Sequence, residues 1–232
     1  MTKKIVCALM FVCCMAFAGV SLAADAAEIK ELESKATQGD AGAQFELGMM
    51  YDMGKGIARD YVKAAYWWEK AAEQGHADAQ FYLGLMYYEG KGVAQDYIKT
   101  IYWWEKAAEQ GDTAAPARLG KLYYNGDGIA QDYVKAAFWF EKAAEQGDAI
   151  LQRMVGIMYY DGMGVEQNFV KAAFWFEKVV NQGDPYVQIL LGGMYYNGEG
   201  VPQDEQKGCA LFRAAADQGD EDAIKAYSEY CK

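Results

Sequence analysis

The sequence predicts an all-α protein, an α/α superhelical solenoid of antiparallel helix pairs. Three observations carry this reading. The pair Gln-Gly stands at 38/39, 74/75, 110/111, 146/147, 182/183 and 218/219, an unbroken spacing of 36 residues, and a fixed period of that size marks stacked supersecondary units. Within each period apolar residues recur at three- and four-residue spacing, the pattern of amphipathic helices. Only 3 Pro occur in 232 residues that are 53% hydrophobic and 15% aromatic, a composition that suits helices with a core and excludes a disordered chain. A unit this small cannot bury its own apolar face, so neighbours must cover it, and such arrays present long surfaces rather than closed catalytic pockets.

The first residues lie outside the period. Lys3 and Lys4 precede an apolar run from Ile5 to Val20, followed by Ser21-Leu22-Ala23, which is the plan of a secretory signal with cleavage before Ala24. The run holds 16 residues, short of the ~20 that span a bilayer. Cys13 and Cys14 follow Val12, not the small residue of a lipoprotein signal. The protein is therefore expected to be exported, to the periplasm first and the extracellular medium second, with no membrane span once residues 1–23 are gone. Losing Lys3 and Lys4 takes two from 22 basic residues against 33 acidic ones, so the formal charge moves from −11 to −13. Such a field repels nucleic acid and anionic lipid and favours basic partners.

Residues 40–75 serve as the type unit. Phe45, Leu47, Gly48, Met50 and Tyr51 carry the apolar face of a first helix, helix A, of about 13 residues. Gly54-Lys55-Gly56 ends it, because glycine tolerates the left-handed conformation that follows a helix. Asp60 stands where an N-cap belongs. Helix B follows, with Tyr61, Ala64, Ala65, Trp67, Trp68, Ala71 and Ala72 on its apolar face. The same plan returns at 76–111, 112–147, 148–183 and 184–219. Residues 24–39 read as a helix capping the first repeat, with Asp25 and Glu28 placed like a capping box, and 220–232 as a helix capping the last. Gly48, Gly84, Gly120, Gly156 and Gly192 fall inside helix A, where glycine costs roughly 1 kcal/mol relative to alanine, so close helix approach must compensate. The aromatic series Trp68, Trp104, Phe140, Phe176 and Phe212 is expected to fill that space as core.

As a consensus these residues read Ala-x-Ala-Gln-x-x-Leu-Gly-x-x-Tyr, then Gly-x-Gly-Val-x-x-Asp-x-x-Lys-Ala, then Trp-(aromatic)-x-Lys-Ala-Ala-x-Gln-Gly-Asp. The pattern resembles the Sel-1-like repeat, a relative of the tetratricopeptide repeat, over residues 40–219. The tetratricopeptide period is 34 residues, and the two extra ones fit the Gly-x-Gly loop between helices A and B. The resemblance implies an adaptor for protein complexes, with helix A lining the concave side. Pro116 departs from the pattern by replacing the glutamine found at Gln44. It falls in the first turn after Asp112, where no intrahelical donor is needed, so the helix is expected to survive.

After signal removal two cysteines remain, Cys209 and Cys231. They lie ten residues before and twelve after the turn glycine Gly219, so two antiparallel helices would bring them opposite one another. A disulfide is expected, worth roughly 3 kcal/mol in the chain-entropy model.

Catalytic groups are scarce. The one histidine, His76, occupies a repeat start held elsewhere by aspartate, which points to capping. Ser34 and Ser228 are the serines of the exported chain, and neither precedes a lysine by three residues as a serine β-lactamase requires. Two cysteines and one isolated histidine lack zinc-ligand spacing, and the Gly-x-Gly turns lack the Gly-Lys-Ser/Thr of a phosphate loop. No catalytic residue, metal or cofactor is expected.

The groove positions implied by the resemblance are Phe45, Met49, Asp52 and their equivalents. The third of these holds Tyr88, Tyr124, Tyr160 and Tyr196 in the later repeats. A tyrosine row suits peptide binding, since tyrosine gives a large contact at low entropic cost; the same rings could instead pack between repeats. Phe81, Lys121 and Arg153 lie where the face varies between units and would encode partner choice. The leading expectation is an exported, non-catalytic scaffold for a protein or peptide partner. The alternatives are a β-lactam or cell-wall peptide hydrolase, by family labelling, and a secreted effector acting on host proteins.

Overall fold

The computed structural model describes residues 27–231; the expected signal segment, its cleavage site and Asp25 lie outside them. The described chain holds twelve α-helices and no strand: α1 at 27–37, α2 Ala41–Met53, α3 Tyr61–Glu73, α4 Ala77–Glu89, α5 Tyr97–Glu109, α6 Ala115–Asn125, α7 Tyr133–Ala144, α8 Ala149–Asp161, α9 Phe169–Val179, α10 Pro185–Asn197, α11 Glu205–Ala216 and α12 Glu221–Tyr230. They form two units, one ending at Asp112 and one beginning at Thr113. In each, helical hairpins stack in sequence, α2/α3 on α4/α5 in the first and α6/α7, α8/α9, α10/α11 and then α12 in the second.

Local chemistry sets the boundaries. The Asp60 carboxylate accepts the backbone N–H groups of Val62 and Lys63, both at 3.1 Å, at the start of α3, the expected N-cap bond. Gly54 closes α2 with φ 69° and returns its N–H to the Met50 carbonyl; a Cβ in that left-handed region would be strained. The loop then folds back, Asp60 N–H donating to the Tyr51 carbonyl at 2.9 Å, and the same bond recurs at Asp96 to Tyr87 and at Asp132 to Tyr123. His76 caps α4 through Nδ1, which accepts Ala79 N–H at 3.4 Å.

The glycines inside helix A act through packing. A Cβ on Gly48 would lie 2.5 Å from the Trp68 indole, and one on Gly84 2.5 Å from that of Trp104. Trp104 is fully buried, and its indole N–H donates to the Phe81 carbonyl at 3.1 Å. The aromatic series is core, as expected: Trp68, Phe140, Phe176 and Phe212 are buried as well. Burying such a ring contributes on the order of 3 kcal/mol, more than the cost of the glycine that admits it.

A buried amide relay ties hairpins together. Gln80 donates through Nε2 to the Ala72 carbonyl at 3.1 Å and accepts from Gln110 at 2.6 Å; Gln44 bonds Ala36 and Gln74 in the same way. Repeat three breaks the pattern. Pro116 has no amide to offer, and its helix begins at Ala115, two residues later than the Ala41 and Ala77 starts of α2 and α4. Placed in the first turn after Asp112, as the sequence suggested, the proline ring would meet the carbonyl four residues back, so the helix starts later with proline in its own first turn.

The second unit ends in a covalent tether. Cys209 on α11 is bonded to Cys231 beyond α12, with Cα atoms 5.5 Å apart, and the antiparallel packing of α11 against α12 brings them together.

Candidate partner-binding site

The expected groove residues lie on one side of helix A in each repeat, half-buried except for the exposed Lys121. Tyr88 meets Tyr97 edge-on at 5.7 Å and tilts toward Trp104 at 5.5 Å. Tyr124 repeats this with Tyr133 at 5.3 Å and Phe140 at 6.0 Å, and Tyr160 with Phe169 at 5.4 Å and Phe176 at 6.3 Å. Tyr196 packs at 5.3 Å on Tyr230, brought to it by α12. Behind each ring the tyrosine carbonyl accepts a glutamine side chain, Gln95, Gln131, Gln167 or Gln203, at 2.7–2.9 Å. Each ring thus meets an aromatic of its own hairpin, Phe212 at 6.5 Å in the case of Tyr196, while part of it stays accessible. Burial raises the Tyr160 hydroxyl above its ordinary value, with Glu199 adding to the shift, so it remains a neutral donor.

The preceding tyrosines behave differently. Tyr87, Tyr123, Tyr159 and Tyr195 are buried, while Tyr51 of the first repeat is half-buried. Tyr159 donates to Glu141 of α7 and accepts from Lys171 of α9 at 2.9 Å, clasping two successive helices B. Tyr195 does the same between Glu177 and Lys207.

The other expected residues divide. Phe81 stacks at 6.3 Å on Trp104. Lys121 is exposed beside Tyr124, and both line a cavity of about 820 Å³ formed by α6, α7 and α8. Arg153 is drawn off to Asp184 at 3.3 Å. In the first unit a hollow of about 650 Å³ lies against α1 and α2, lined by Ile29, Leu32, Met49, Met50 and Met53 with Glu28, Glu31 and Glu46.

Sequence reasoning missed two features. Arg118, Gln146 and Met154 join Lys121 around the second cavity; the signal was Ala117, a small residue where Phe45 and Phe81 stand. Helix B also turns apolar groups outward: Val62, Tyr66, Ile98 and Tyr102 in the first unit and Val134, Phe138, Val170 and Phe174 in the second are each at least half exposed. A period of 36 repeated these residues faithfully, yet their spacing beside the core positions hid which face they share.

The residues that chemistry would need have local tasks. Ser34 Oγ accepts from Gln38 at 3.0 Å, Ser228 donates to the Lys225 carbonyl at 2.8 Å, and His76 caps α4. No cluster of three His, Cys, Asp or Glu among the described residues could hold a metal, and no helix among them is long and apolar enough to cross a membrane.

The Sel1 repeat model matches residues 41–76, 77–112, 114–148, 149–184 and 185–220, the same periods in which the hairpins, caps and tyrosines recur. The chain belongs to the Sel1 repeat family. It is 32% identical to a Sel1 repeat protein from Oxalobacter formigenes, covering 91% of this chain and 88% of that one with a TM-score of 0.65. It is 40% identical to c5321, a protective antigen of uropathogenic Escherichia coli strains, over 84% of this chain with a TM-score of 0.63. The match spans 42% of c5321. No curated protein matches the chain. Sel1 repeat proteins are generally protein-interaction scaffolds and typically non-catalytic.

Proposed function

We propose that this Sel1 repeat protein is an exported, non-catalytic scaffold that holds a protein or peptide partner along its helix-A faces. The observation that carries the reading is the series Tyr88, Tyr124, Tyr160 and Tyr196, each ring held against an aromatic neighbour of its own hairpin, with Tyr230 of α12 added at Tyr196, and half open. A ring already ordered loses little freedom when a partner covers it, and its hydroxyl can bond a partner backbone. Export rests on residues 1–23 and on the cysteine pair, since disulfides persist outside the cytosol. A photo-crosslinking residue at Tyr124 in living cells, followed by mass spectrometry, should capture a discrete envelope partner whose yield falls at least tenfold on Tyr160→Ala. Capture of nothing above background, or the same partners from a crosslinker placed at exposed Lys225, would refute the reading.

A further inference from the structure

Repeat three keeps the tyrosine of the helix-A face, Tyr124, but differs from its neighbours at the positions around it. Where repeat two has Gln80 it has Pro116, so the relay that seats Gln110 on Gln80 at 2.6 Å has no counterpart there. Gln146, the equivalent of Gln110, lines the cavity of about 820 Å³ instead, and its side-chain amide makes no hydrogen bond among the described residues. Where Phe45 and Phe81 fill the face, Ala117 leaves it open. The floor is apolar, with Phe140 beneath and Leu151 and Met154 on the α8 side.

The charge on this cavity is opposite to that of the chain. Arg118 replaces Glu46 and Tyr82, and Lys121 replaces Met49 and Leu85, in a protein of net charge −11. Most other cations of the second unit are engaged: Lys135 with Asp132, Arg153 with Asp184, Lys207 with Glu177 and Arg213 with Asp217, while Lys142, Lys171 and Lys178 lie over aromatic rings. Arg118 and Lys121 have no ion pair or ring among the described residues, and both are exposed. The carboxylate on the lining, Asp148, is occupied as the N-cap of α8, accepting Leu151 N–H at 3.0 Å.

We propose that this cavity is the specificity pocket of the helix-A face and takes a partner segment that carries an acidic side chain next to an aliphatic or aromatic one. The apolar side chain enters over Ala117 and Phe140, and the carboxylate meets Arg118 and Lys121, with Gln146 available to the segment's backbone. Charge-assisted bonds to a guanidinium are the stronger kind, and an apolar anchor in a pocket carries most of the affinity of such contacts. This reverses, for repeat three, the preference for basic partners that overall charge implies. The inference rests on the helix-A reading above and adds the chemistry of the ligand.

The test is selection from a phage-displayed library of random twelve-residue peptides on the whole exported chain, with recovered peptides measured by fluorescence anisotropy. Peptides should be enriched in Asp or Glu adjacent to an apolar residue, and should weaken at least tenfold on the double change Arg118→Glu, Lys121→Glu and on raising the salt concentration. Ala117→Phe, which installs the residue that stands at Phe45 and Phe81, should abolish binding while leaving the thermal midpoint unchanged. Peptides without acidic enrichment, lost on Tyr124→Ala but indifferent to the charge reversal, would overturn the pocket and leave the scaffold reading standing. Recovery of no peptide, or only of peptides indifferent to Tyr124→Ala as well, would overturn both.

Discussion

Repeats two and three follow one plan, with the same glycine closing helix A, the same aspartate capping helix B, the same helix-internal glycine and the same tyrosine at the end of helix A, yet they present opposite surfaces. In repeat two the face is closed. Gln80 locks α4 to the end of α3, and Phe81 covers Trp104. In repeat three Pro116 removes the lock, α6 is two residues shorter than α4, and Ala117, Arg118 and Lys121 border an open cavity. The difference teaches that a solenoid becomes selective by relaxing a structural bond in one unit. The periodic core tolerates this because each hairpin keeps its own glycine–aromatic contact, Gly84 on Trp104 and Gly120 on Phe140.

The largest test of this contrast is in the core. Trp104→Ala should cost about 4 kcal/mol, since a fully buried ring is lost and the surroundings relax only partly. Phe140→Ala should cost about 1 kcal/mol less because Phe140 borders the cavity. Equal losses in denaturant titrations would mean that the cavity is closed in solution. Exchanging the deciding residues comes next. Pro116→Gln should rebuild the relay to Gln146 and stabilise by about 1 kcal/mol, and Gln80→Pro should destabilise by about 3 kcal/mol, since it leaves Gln110 without its partner and also removes the bond from Gln80 N–H to the His76 carbonyl. Thermal melting reads both, and changes of the same sign would break the comparison.

The smallest effect concerns pH. Lys99 in repeat two donates to the Tyr87 hydroxyl at 3.4 Å, and that hydrogen bond raises it above the ordinary lysine value of 10.5. The folded state then holds this proton more tightly than the unfolded chain does. The stabilisation is fully present below pH 10.5 and is lost as pH rises through the raised folded value. Tyr87→Phe should therefore flatten the decline in stability above that pH, seen by denaturant titration at pH 9 and 11; an unchanged slope would remove the Lys99 contribution.

Much of this was legible in the residues. Asp60, Gly54 and Gly48 act through bonds and contacts a few residues or one hairpin away, so their spacing alone implied their roles, and Cys209 and Cys231 could be paired from the antiparallel turn between them. The site was legible in part. The tyrosine row was visible as a period, but whether its rings were packed or open depends on neighbours such as Tyr97 and Tyr230, which no period reports. Pro116 was read as harmless to its helix, and the helix does survive. The consequence lay in the amide it displaced, whose partners are eight and thirty residues away in the repeats that keep it.

The sequence by itself determined the repeat, its helix boundaries outside the start of α6, its core aromatics and the cysteine pair, because these depend on local hydrogen bonds and on a hydrophobic period that any stacked neighbour satisfies. Tertiary structure alone decided that Arg153 is spent on Asp184 while Arg118 and Lys121 are not, and that Ala117 opens onto Phe140. The physical reason is that a charge or a cavity is defined by what lies across the gap, and the groups across it come from other helices.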